Sequence, residues 1–147
     1  MNLQDPMNKV EKADNNPKYV IGLLDDPKKL SKKIKRAITD SDEQARIYFG
    51  VAEKPGVSSL LSLLSCTTGQ SIESLVPQYQ DKMYGHLKGD VAEAVVSMLA
   101  PIQAEYARIR TDQSYLHDVL RASAIKAREK ASVTLAKTYK ALGFVAP

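Results

Sequence analysis

From Leu30 to Leu142 the apolar residues of this chain recur at intervals of three and four, and no segment sets strands in alternation with that pattern. A period near 3.6 gathers such residues on one side of a helix. The chain can therefore bury its apolar side chains by packing helix on helix. It cannot build the strand–helix alternation of a nucleotide-binding α/β sheet. Ile47–Val51 has some strand propensity but no partner strand, so it is expected as extended coil. At 147 residues one domain with a real core is feasible. The expected fold is all-α, a helical bundle of about five or six helices.

Asp25-Asp26-Pro27 marks a helix start, with an acidic cap and proline at the first helical position, and Leu30, Ile34, Ala37 and Ile38 follow at helical spacing. Pro55-Gly56 opens a second helix. Its Val57, Leu60, Leu61, Leu63 and Leu64 make it the expected core helix, and Gly69 ends it. Ser71 caps a short third helix with Ile72, Leu75 and Val76. A long helix is expected from about His86 to Arg110, with a buried stripe of Leu87, Val91, Val95, Met98, Ile102 and Ile109 and a kink at Pro101. Asp112 should cap a short helix, and a separate last helix should run from about Ser123 to Leu142 on a narrow stripe that includes Ala124, Ala127 and Ala131. Residues 1–18, with Pro6 and Pro17, are expected to be irregular and to bury little.

The net charge is only +4, so its distribution matters more than its size. Lys28, Lys29, Lys32, Lys33, Lys35 and Arg36 lie together with no acid among them, and six further cations between Arg121 and Lys140 meet only Glu129. Two such basic helices suit a polyanionic partner, though solvated faces of ordinary surface helices would look the same. A single cysteine, Cys66, allows no intramolecular disulfide or thiolate cluster and reads as a small hydrophobe in an apolar helix. His86 and His117 are too far apart for a paired metal motif, so no metal is expected. No glycine-rich phosphate loop and no GxSxG elbow occurs. No apolar run is long enough for a membrane span, and the first residues do not resemble a signal peptide, so a cytoplasmic location is expected. On its residues alone the chain is not a self-sufficient enzyme.

Several blocks, in order along the chain, carry a resemblance. They are Val20-Ile21-Gly22-Leu23-Leu24-Asp25-Asp26-Pro27-Lys28-Lys29, Lys32-Lys33-Ile34-Lys35-Arg36-Ala37, Thr39-Asp40-Ser41-Asp42-Glu43, Gly56-Val57-Ser58, Thr68-Gly69-Gln70-Ser71-Ile72, Met83-Tyr84-Gly85-His86-Leu87-Lys88-Gly89 and Lys126-Ala127-Arg128 with Thr134-Leu135. Over nearly its whole length the chain resembles the C-terminal portion of bacterial tryptophanyl-tRNA synthetases, class I aminoacyl-tRNA synthetases. The resemblance implies a helical domain, residues 19–147, that receives tRNA including its anticodon end. It implies that residues 1–18 hold a degenerate version of the mobile KMSKS loop that handles the ATP phosphates.

The departures sharpen what it implies. Lys9-Val10-Glu11-Lys12-Ala13 stands where the family has Lys-Met-Ser-Lys-Ser. Lys9 and Lys12 remain as vestigial phosphate contacts, but Glu11 brings a negative charge and Ala13 removes a hydroxyl, which should weaken catalysis. Tyr48-Phe49-Gly50 replaces an Arg-Tyr-Asp-like stretch. The HIGH-type motif and its nucleotide-binding fold are not in this sequence, so ATP, used in the family, is not expected to bind the isolated chain. A stand-alone relative is the preferred reading over a truncated product. Three functions follow as expectations. The first is a non-catalytic tRNA-binding module using Lys28, Lys32, Lys35, Arg36, Lys126, Arg128 and Lys130. The second is an interaction protein docking on a partner such as a full-length synthetase, through apolar surface near residues 19–24 and 47–51. The third is a tryptophan–tRNA ligase fragment whose missing half comes from elsewhere. Lys126 and Arg128, two apart on a helix, diverge by about 200° and cannot serve one phosphate together.

Overall fold

A computed structural model of the chain describes residues 2–10, 16, 18–41 and 45–145. The fold is all-α. Its helices are α1 (Pro27–Lys35), α2 (Pro55–Thr68), the single turn α3 (Ile72–Leu75) continuing into a 3-10 turn (Val76–Tyr79), α4 (Tyr84–Thr111) and α5 (Gln113–Leu142). No strand occurs among the described residues, and residues 45–50 run as coil with Ile47 buried. The chain divides into two compact units, one ending at Gln103 and the other beginning at Ala104.

The first unit holds the core. Leu30 and Ile34 of α1, Val57 and Leu61 of α2, and Leu87 and Val91 of α4 are fully buried. The helix ends explain why these segments fold where they do. The Asp26 carboxylate accepts from the Lys29 N–H at 3.0 Å, with Pro27 just inside the helix. Lys54 precedes α2 but offers its first turn no side-chain cap. Asp40 does so from 16 residues away, accepting from the N–H groups of Gly56 (3.3 Å) and Val57 (3.1 Å). Gly56 is needed there, because a Cβ would stand 2.7 Å from the Ile38 carbonyl oxygen. Gly69 ends α2 in the left-handed region (φ 73°), and the Ser71 hydroxyl accepts from the Ser74 N–H. Buried Tyr79 donates to Asp90 at 2.7 Å. Burial, then that hydrogen bond and the Asp90 charge, hold its phenol well above the usual tyrosine range.

The opening segment buries more than expected. Leu3 belongs to the core, its N–H donating to the Tyr19 carbonyl and its own carbonyl accepting from the Ile38 N–H. These tertiary hydrogen bonds have no local sequence signal.

The second unit contains the end of α4 and all of α5. The expected break near Ser123 does not occur: α5 is one 30-residue helix. Residues 121–127 contain no Gly or Pro, so nothing interrupts the helix begun by the Asp112 cap, which accepts from the Tyr115 N–H at 2.9 Å. The expected small-residue packing stripe is not buried either: none of the residues of α5 is. Gly143 (φ 70°) ends it, the Phe144 N–H donates to the Tyr139 carbonyl, and the two rings meet edge to face. In α4 the buried stripe runs through Leu87, Val91, Val95 and Leu99, whereas Met98 and Ile102 are exposed. The helix continues unbroken through Pro101.

Candidate nucleic-acid interface

Helix α1 divides its own cations. Leu30 and Ile34 face the core, which leaves the opposite side to six basic residues. At 100° per residue, Lys29, Lys32, Lys33 and Arg36 (i, i+3, i+4, i+7) form one stripe, and Lys28, Lys32 and Lys35 form the adjoining one. The two stripes meet different surroundings.

Lys28, Lys32 and Lys35 line a cleft whose far side is Gly89, Asp90, Glu93 and Val96 of α4. Asp90 and Glu93 therefore share this cleft with Lys28, Lys32 and Lys35, without forming an ion pair with any of them. The other stripe lines a recess of about 390 Å³ made by Gln4, Lys18, Lys29, Lys32, Lys33 and Arg36. Lys33 is internally committed there, pairing with Asp25 and donating to the Val20 carbonyl at 3.0 Å. Burial would raise the Asp25 carboxyl, but the Lys33 hydrogen bond, the Gly22 N–H and the charges of Lys33 and Lys29 outweigh it and hold it below the usual carboxylate range. No carboxylate among the described residues pairs with Lys18, Lys29, Lys32 or Arg36, all four exposed. Gln4 Nε2 donates to the Arg36 carbonyl at 3.1 Å, joining the opening turn to the end of α1.

Helix stability accounts for only some of these charges. Lys32, Lys33 and Lys35 sit in the last turn, where the helix dipole favours cations. Lys28 and Lys29 sit in the first turn, where it favours anions, and α1 has no acidic residue in that turn.

Lys126, Arg128 and Lys130 lie exposed on α5. Lys126 and Lys130 are one turn apart on one face, and Arg128 points away from both. The structure thus gathers Lys32 and Arg36 in the recess and leaves the α5 cations solvated. Lys9 is exposed, and Lys12 lies outside the described residues. Sequence reasoning placed Lys29 and Lys33 in the basic run but not among the chosen contacts, and it did not single out Lys18 or Gln4. The i, i+3, i+4, i+7 spacing could have singled out Lys29 and Lys33, whereas Lys18 and Gln4 arrive only through tertiary contacts.

His86 and His117 are exposed, and no group of metal-ligating side chains occurs among the described residues. Cys66 is also exposed, not packed as a small core residue; it sits on the rim of an apolar recess of about 490 Å³ that includes Leu3, Ile21, Val51 and Leu63. The α2 turn that carries it presents Leu64 to the core instead. No helix is long and apolar enough to cross a membrane.

Residues 1–100 match the family model of class I tRNA synthetases (W and Y). The chain belongs to that family. A solved relative, tryptophanyl-tRNA synthetase from Mycoplasma pneumoniae, is 32% identical over 99% of this chain, with a TM-score of 0.76. The chain spans 45% of that synthetase's length. The similarity to a tryptophanyl-tRNA synthetase therefore extends through α5, beyond the residues that the family model matches. Of the blocks that carry the sequence resemblance, several fall on α1, on the Asp40 cap of α2 and on the start of α4. Of the two departures, Glu11 and Ala13 lie outside the described residues, and Tyr48 and Phe49 are exposed on the coil before α2.

Proposed function

We propose that this synthetase-related chain is a non-catalytic helical module that binds tRNA, docking on its phosphates through α1 and, more loosely, through α5. The observation that carries this reading is the set of exposed cations on α1 without a carboxylate partner, in a member of a tRNA synthetase family. Contacts to phosphate give affinity and register without reading sequence, so Lys28, Lys32, Lys35, Arg36, Lys126, Arg128 and Lys130 are positioning contacts in this scheme. Neither Lys9 nor Lys12 is assigned a catalytic role, the chain alone is expected to bind no ATP, and its place of action is the cytoplasm. The decisive measurement is tRNA affinity against salt. With these seven phosphate contacts, log K should fall against log salt with a slope of about −5 to −6. A flat salt response, or no binding at low salt, would overturn the reading.

A second reading draws on a separate observation. Leu23, Leu24, Phe49 and Val51 are exposed, and a contiguous apolar recess lies on the same unit. Such surface suits a protein partner, for instance a full-length synthetase or the nucleotide-binding part of one, which would also supply what a ligase needs. Co-purification with a synthetase, undiminished after nuclease treatment and lost on Leu24→Asp with Val51→Asp, would favour it.

A further inference from the structure

The recess beside α1 has properties that contact with an RNA backbone does not require. It is concave, whereas a backbone can be tracked by cations spread along a convex helix. Its cations come from two stretches of chain: Lys29, Lys32 and Arg36 from α1, and Lys18 from the segment before it. Its fifth cation, Lys33, pairs with Asp25, whose charge also acts on Lys29, and none of Lys18, Lys29, Lys32 and Arg36 has a carboxylate at ion-pair distance among the described residues. The walls are already fixed. Leu3 is in the core, Gln4 is bonded to the Arg36 carbonyl, and Leu30 and Ile34 hold α1 by their burial. A site held in place before binding loses less entropy when it is filled.

We propose that this recess binds a compact oligophosphate, two or three linked phosphate groups, in preference to a single phosphodiester. A phosphodiester carries one negative charge and would leave most of the four cations unmatched. A diphosphate or triphosphate carries three or four in the same small space. Lys29 and Lys32 lie within reach as point charges, and Arg36 can offer two parallel N–H donors to one phosphate. An anion beside the first turn of α1 also offsets the unfavourable position of Lys29 on the helix dipole. Among the described residues, Lys9 does not line the recess, and the proposal gives it no part. The proposal does not depend on RNA binding.

Titration calorimetry of the full chain with inorganic tripolyphosphate, at low salt, tests it. Saturable binding at one site is expected. Lys18→Ala and Arg36→Ala should each weaken it by roughly tenfold, the effect of losing one charge-assisted hydrogen bond. Lys28→Ala with Lys35→Ala, on the neighbouring stripe, should change it less than about threefold, because neither lysine lines the recess. Unchanged circular dichroism and melting of each variant separates loss of binding from loss of fold. A dinucleoside monophosphate, which presents one phosphodiester, should bind at least about tenfold more weakly than tripolyphosphate. The proposal is overturned by any of three results: no saturation with tripolyphosphate, equal losses in the two sets of variants, or equal affinity for the lone phosphodiester. If tripolyphosphate fails while tRNA still binds with a steep salt slope, only this proposal is lost; the opposite pattern removes only the tRNA reading.

Discussion

Helices α1 and α5 are alike in charge and unlike in everything that turns charge into a site. α1 with its C-cap Arg36 carries six cations, and α5 carries six, each set within at most twenty residues. α1 has Leu30 and Ile34 fully buried, and its basic stripe is joined by Lys18 and Gln4 from elsewhere in the chain. α5 has no buried residue, and its Lys126, Arg128 and Lys130 stand in solvent. Cations on a surface helix attract polyanions from any direction, and salt screens them readily. A recess with an anchored floor selects by shape and charge density. A basic run is held ready for a ligand only where packing fixes its backbone and tertiary neighbours close its sides.

The comparison can be broken at several levels. The largest effect is on stability. Leu30→Ala, which opens a cavity under α1, should cost about 2–5 kcal/mol in urea unfolding, whereas Leu135→Ala on α5 should stay within about 0.5 kcal/mol. Similar costs at the two positions would mean that α5 is as well packed as α1. Next, Asp40→Ala removes the remote cap of α2 and should lower the stability of the first unit by about 1–2 kcal/mol; Asp40→Asn, which retains an acceptor, should recover most of it.

A smaller effect concerns binding. Lys32→Ala with Arg36→Ala should reduce the log–log salt slope of tRNA binding by about 1.5, and Lys126→Ala with Lys130→Ala by no more than about half of that. Equal reductions would remove the distinction between anchored and solvated cations. The smallest effect is the acid limb of stability. The folded carboxyl of Asp25 lies below its ordinary value, so its contribution is fully present above the unfolded value near 3.8 and fades as pH falls through the folded one. Unfolding midpoints between about pH 5 and pH 2 should therefore fall less steeply for Asp25→Asn than for the parent chain. Identical slopes would show that the Lys33–Asp25 pair does not hold the α1 entry.

Most of the core was legible before any coordinates. Val57, Leu60, Leu61 and Leu64 follow one helical stripe and all are buried, and Gly69 and Ser71 act where their chemistry says they should. The reading failed where two stripes competed. After Val95 the sequence offers both Met98 and Leu99 at helical spacing, and only packing decides for Leu99. It failed again near Ser123, where a separate helix was expected to begin, although nothing in that run of helix formers ends the helix begun at Asp112. Cys66 lies on an apolar helix yet outside its buried face, which composition alone does not distinguish.

The sequence by itself determined that this protein is helical, where α1 and α2 begin, that α1 carries unopposed positive charge, and that its blocks match a synthetase family. These are properties of neighbours along the chain: period, caps and charge runs act within one or two helical turns. The structure alone decided that Leu3 is core, that Asp40 caps a helix 16 residues away, and that the cations of α1 border both a cleft with acids and a recess without them, Lys32 lining the two. Those outcomes depend on which distant segments meet, and hydrophobic burial, being non-directional, leaves that choice to the packing of the whole unit.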